Sequence, residues 1–159
     1  MKESGKILGI LRISFGLIFL WAFFDKLFGL GFATASDKSW IAGNSVTSGF
    51  LLNGTSGPFA EFFQSIAGNI FVEWLFMLGL LGIGIGLLFG IVRKISCYSG
   101  TIMLVLMWLA ALPPKNNPVL DDHIIYAITL IYLANVNTSF SFEDKWRKLK
   151  IIKNNKFLE

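Results

Sequence analysis

Two long apolar runs decide what this chain can become. Residues 68–91 (GNIFVEWLFMLGLLGIGIGLLFGI) carry one charge, Glu73, near their start, and residues 95–112 (ISCYSGTIMLVLMWLAAL) carry none. Crossing a hydrocarbon layer of about 30 Å takes roughly 20 apolar residues as a helix. Two further segments fit the same pattern, at about 7–28 and 120–136. Composition agrees, since 54% of the 159 residues are hydrophobic and the mean hydropathy is +0.64. The expected fold class is an all-α integral membrane protein, a four-transmembrane-helix bundle with an outer loop carrying short interfacial helices. Residues 1–140 then form a single four-helix membrane domain, and residues 141–159 a basic cytoplasmic tail.

The first segment is the least regular. Only residues 13–24 are free of charge, between Arg12 and Asp25. These two lie about 20 Å apart along a helix axis. A spanning helix therefore puts at least one of them inside the apolar layer. Arg12 can snorkel to the nearer surface along its long stem. The short Asp25 cannot, so it needs a partner. A cleaved secretory signal is the rival reading, with Lys2 and Lys6 ahead of the apolar stretch and Ala33-Thr34-Ala35 as a small-residue cleavage site. Arg12, Asp25 and Lys26 interrupt that stretch, which is also long for a signal core, so a retained first span is expected.

Basic residues set the orientation. Lys2, Lys6, Arg12, Arg93 and Lys94 fall on one side with the tail residues Lys145, Arg147, Lys148, Lys150, Lys153 and Lys156. Lys26, Lys38 and Lys115 fall on the other. The positive-inside rule places both termini in the cytoplasm of a multi-pass cell-membrane protein. The tail is read as contact with lipid headgroups, with no nucleic acid as partner. A lone Cys97 excludes dithiol redox chemistry within the chain.

Between the first two spans, residues 29–67 form one long outer excursion. Ser36 or Asp37 can start a short helix there, and after Pro58 the run FAEFFQSIAG reads as an amphipathic one with Phe59, Phe62, Phe63 and Ile66 on one face. Gly82, Gly86 and Gly90, four apart, make a groove for close helix approach, with Gly16 and Ser14 as its match on the first span. Pro113, Pro114 and Pro118 forbid helix between the third and fourth spans.

Alternate crossing brings Asp25, Glu73, Asp121, Asp122 and His123 to one face, beside Lys26, Asn116 and Asn117. Trp21, Trp74 and Trp108 lie within a turn or two of that level. The bland reading of each is structural: tryptophans as interfacial anchors, Asp121 as a helix cap, Asp122 and His123 as exposed helix-end residues. The chemical reading is a shared pocket of Asp25, Glu73 and one of Asp122 or His123. One His beside carboxylates can exchange protons near neutrality, and aromatic walls there suit a quinone. A divalent metal is a second chemical option, with no ligand set assigned to it. Haem is disfavoured, because His123 is the only histidine.

The segments WAFFDKLFGLGFAT, GPFAEFFQSIAGN, FVEWLFMLGLLGIGIGLLFG and MWLAALPPKNNPVLDDHIIYA resemble the DoxX family, and within it the DoxD-like branch named for the small subunit of thiosulfate:quinone oxidoreductase. The likeness runs from about residue 12 to 133. It implies a four-helix membrane subunit of a quinone-linked oxidoreductase, with a membrane quinone as cofactor and a second oxidoreductase subunit as partner. On that expectation Asp25, Glu73, Asp122 and His123 are catalytic, Trp21, Trp74 and Trp108 hold the quinone, and Lys26, Asn116 and Asn117 meet an anionic sulfur substrate. These residue roles come from the topology and not from the family. A homo-oligomer is also open. The alternative is a non-catalytic membrane accessory or lipid-binding protein whose polar cluster locks the outer helix ends together.

Overall fold

The structure, a computed structural model, describes residues 2–114, 117–143 and 146. Asn116, Lys115 and most of the expected tail lie outside these residues. Among the described residues six α-helices follow one another: α1 (Lys2–Phe28), α2 (Ser48–Asn53), α3 (Ala60–Ser65), α4 (Ile70–Phe89), α5 (Arg93–Ala110) and α6 (Asp122–Asn135). Single 3₁₀ turns at Ser36–Lys38 and Gly57–Phe59 complete the list. Among the described residues there is no strand.

Local chemistry sets the helix limits. Asn69 caps α4 by accepting the N–H of Phe71 at 2.9 Å and of Val72 at 3.4 Å. That helix stops at Gly90, whose φ of +67° suits a residue without Cβ. Asp121 caps α6 in the same way. The second expected short helix forms as the Gly57–Phe59 turn and α3, but only Phe63 of its phenylalanines is buried, packing with Leu51 and Ala110.

The four long helices run antiparallel to their chain neighbours. Gly16 of α1 meets Leu88 and Gly84, while Leu20 meets Gly84. Ser96 and Met103 of α5 face Gly86 and Gly79 of α4, and Arg93 reaches Leu133 of α6. Phe15, Phe19, Met77, Ile83, Leu87 and Leu130 fill the shared core. Both 29–67 and the turn before α6 therefore lie at one end, the loop end. The glycines divide differently from the expected groove. A Cβ on Gly16 would come within 2.6 Å of the Leu88 backbone nitrogen, so Gly16 lets α1 approach α4 at Gly84. Gly82 touches nothing, Gly86 faces α5, and Gly90 ends the helix. Residues four apart drift around a 3.6-residue helix, and a neighbour on each side of α4 takes part of the set.

Two helices, Glu3–Phe28 and Ile70–Phe89, are long and apolar enough to cross a membrane. Only 33% and 39% of their most apolar windows are buried. Large apolar side chains such as Phe71 and Leu75 are more than three-quarters exposed. A helix at the centre of a water-soluble domain buries most of its apolar residues, so this exposed apolar surface is compatible with apolar surroundings. At 14 residues α6 rises about 21 Å, less than the hydrocarbon thickness.

Beyond α6 the chain folds back over the other end, where Ser139 N donates to Gly5 O and Phe142 N to Phe89 O. Two buried arginines hold this end. Arg12 does not snorkel. Its guanidinium donates through Nη1 to the carbonyls of Leu87 and Leu88, through Nη2 to Ser139 and Phe140, and through Nε to Thr138 Oγ1. Five donors thus meet five acceptors from two segments, which offers more than a lone path to water. The last carbonyls of α4 lack intrahelical donors and carry the negative end of its dipole, so a buried cation is stabilised there. Arg93 repeats the device on Leu133 and Ala134 of α6 and pairs with Glu143 at 3.2 Å.

Candidate functional site

The loop end brings together Asp25, Glu73, Asp121 and Asp122, and three of them hold defined partners. Asp25 sits in the last turn of α1, where the helix dipole disfavours a carboxylate. Its hydrogen-bond partners are backbone amides. Phe32 N donates to Oδ1 at 3.2 Å and Ala33 N to Oδ2 at 3.0 Å. Gly29, at φ +67°, turns the chain so that these amides fold back on the helix end. Glu73, one turn into α4, does the same for residues 45–47. Val46 N donates to Oε2 at 3.1 Å and Thr47 N to Oε1 at 3.2 Å, joined by the hydroxyls of Ser45 and Thr47. Both carboxylates are nearly inaccessible, at 2% and 5% exposure. Among the described residues every buried side-chain polar atom has a partner. Each carboxylate thus ties a loop segment to a helix end through hydrogen bonds it accepts.

The other expected residues are distributed around the same end. Asp121 Oδ1 accepts from His123 N and Ile124 N, while its Oδ2 meets His123 Nδ1 at 2.7 Å. Asp122 is exposed. Asn117 Oδ1 accepts from Val119 N and Leu120 N, shaping the turn before α6. Trp108 pins that turn by donating from Nε1 to Val119 O at 2.8 Å. Trp21 lies edge-on to Phe32, with ring centroids 5.0 Å apart. Lys26 places Nζ 6.0 Å from the centre of the Phe76 ring. Among the described residues no three His, Cys, Asp or Glu side chains come together as a metal site.

Where the loop crosses the start of α4 it leaves an open cleft of about 470 Å³. Trp40 and Trp74 form one corner, their rings 4.7 Å apart between centroids and inclined at 72°. Ile41 and Ile70 extend the apolar wall, and Ser45 and Glu73 supply the polar side. Of the expected set, Glu73 and Trp74 line this cleft. Asp25, His123, Trp21 and Trp108 are not among its lining residues. Trp40 was missed by sequence reasoning, because it lies in a loop with no periodicity. Its place is fixed by Trp40 N donating to Lys26 O and Ile41 N to Leu27 O, which satisfies the free carbonyls at the end of α1. Ser45 and Thr47 gave no signal either. Their role depends on a carboxylate more than 25 residues away.

Comparison with known proteins returned no matching protein family, no matching curated protein and no matching solved structure.

Proposed function

We propose that this chain is a multi-pass membrane protein, with four helices embedded and both termini cytoplasmic, that serves as a non-catalytic membrane component binding an amphiphile in the Trp40–Trp74 cleft. One observation carries the reading: Glu73 holds residues 45–47 through their amides and hydroxyls, which fixes the loop as one side of the cleft, while Asp25 likewise ties residues 32 and 33 to the end of α1. The exposed apolar faces of α1 and α4 support embedding, as does the basic excess at the end opposite the loop.

A second reading keeps the quinone-linked oxidoreductase that the DoxX-like segments imply. The 2.7 Å pair of His123 with Asp121 favours it, since a carboxylate-oriented imidazole is a good proton carrier. The cleft also has the size and aromatic lining for a quinone ring, with Trp40 and Trp74 as its holders. In that case the membrane quinone supplies two-electron redox chemistry when bound, and the chain orients it beside a second subunit.

One titration separates the two. The full chain is placed in nanodiscs and a short-chain quinone is added while tryptophan fluorescence is followed, beside Trp74→Leu and His123→Ala. Linear quenching, equal in all three proteins, is expected of the accessory role. Saturable quenching that weakens in both variants would overturn it in favour of the quinone-linked one. Labelling a Ser36→Cys variant from outside intact cells with an impermeant maleimide checks the orientation. Protection of that position would invert it.

A further inference from the structure

The cleft has a sign as well as a shape. Among the described residues its single charged lining residue is Glu73, and no lysine or arginine lines it. Two indole rings meet there edge to face, leaving one ring face toward the cleft's corner. The faces of aromatic rings carry the negative part of the ring quadrupole, and cages of such rings beside a carboxylate attract ammonium groups. An anionic ligand would meet the Glu73 charge and an indole face unfavourably in this corner, and a cationic one would meet both favourably.

The surroundings distinguish a lipid from a soluble cation. Ile70 and Trp74 line the cleft, and Leu78 continues their stripe down α4 at the same four-residue spacing. All three are more than half exposed. The stripe leads from the cleft along the apolar helix, as an acyl chain would run from its headgroup into the bilayer. A soluble ammonium compound would leave that stripe uncovered.

We propose that the Trp40–Trp74 cleft is a headgroup site for a phospholipid bearing an ammonium group, with its chains lying along Ile70, Trp74 and Leu78. This deepens the amphiphile-binding role and rests on the chain being embedded in a membrane. The ammonium sits in the indole corner facing Glu73, and the phosphate remains toward water.

Native mass spectrometry of the delipidated full chain tests it, with equimolar phosphatidylethanolamine, N-acetyl-phosphatidylethanolamine and phosphatidylglycerol of identical chains. The N-acetyl lipid keeps the phosphate and chains and loses the cation. Retention of the first over the other two by about fivefold or more is expected, the scale of one well-formed cation–π contact. Trp74→Leu, at a half-exposed position, should bring the three lipids level with the melting temperature unchanged. Equal retention of all three by the wild type would overturn the site, as would a preference that survives Trp74→Leu. Reconstitution of the same sample into vesicles separates the two failures. A chain that does not insert refutes the membrane role itself, whereas one that inserts without headgroup preference refutes only this site.

Discussion

Replacing Arg12 by Met is the sharpest test of how the end opposite the loops is held. Methionine keeps a long apolar stem and removes all five donors. Substituting apolar residues for a buried ion pair can be neutral because both partners disappear together. Here the acceptors are mostly backbone carbonyls, and they remain. Leu87 O is buried and Leu88 O partly so, and neither has a donor within its own helix at the end of α4. Leaving a buried carbonyl bare costs about 1–3 kcal/mol. The contacts to Thr138, Ser139 and Phe140 are part-buried, and water can take over some of them. The expected loss is therefore roughly 2–5 kcal/mol. For a chain of this size that lowers the melting temperature by roughly 5–15 °C. The assay is thermal unfolding in detergent, followed by tryptophan emission. Arg12→Lys should recover only part of the loss, because one ammonium cannot span acceptors spread around a planar fork. Melting of Arg12→Met within about 2 °C of wild type would refute the reasoning, and so would a lysine variant as stable as the arginine protein.

Other consequences can be measured separately. Glu73→Gln places an amide N–H₂ against at least one backbone donor, so hydrogen exchange at Val46 and Thr47 should accelerate about tenfold, for a cost near 1.4 kcal/mol. Asp25→Asn should do the same at Phe32 and Ala33 while leaving residues 45–47 unaffected; acceleration in both segments would mean that the two anchors are coupled. Gly16→Ala forces a methyl against the α4 backbone and should destabilise by about 1–3 kcal/mol in chemical denaturation, whereas Gly82→Ala should cost nothing. Asp121→Ala removes the cap of α6 and should cost about 1 kcal/mol, but His123→Ala, which leaves that cap in place, should cost well under half as much by the same assay.

Sequence alone determined the elements. Apolar runs near twenty residues long favour helices, and Asp121 marks the start of the last one by capping chemistry that acts over three or four residues, whereas the Asn69 cap and the helix-ending role of Gly90 appeared only in the structure. The gathering of acidic residues at one end followed from alternating direction, since four antiparallel helices leave no other arrangement. What each charge does was decided only by the tertiary structure. Asp25 was expected to need a partner, but nothing in the chain said that it would be the amides of Phe32 and Ala33. Arg12 finds its acceptors 75 to 128 residues away, at the end of α4 and beyond α6. Trp40 becomes half of the cleft because its amide meets the end of α1, which no local pattern encodes. Hydrophobic periodicity is a property of neighbouring residues and can be read along the chain. The satisfaction of a buried charge depends on which distant backbone groups arrive within hydrogen-bonding distance, and folding alone fixes that.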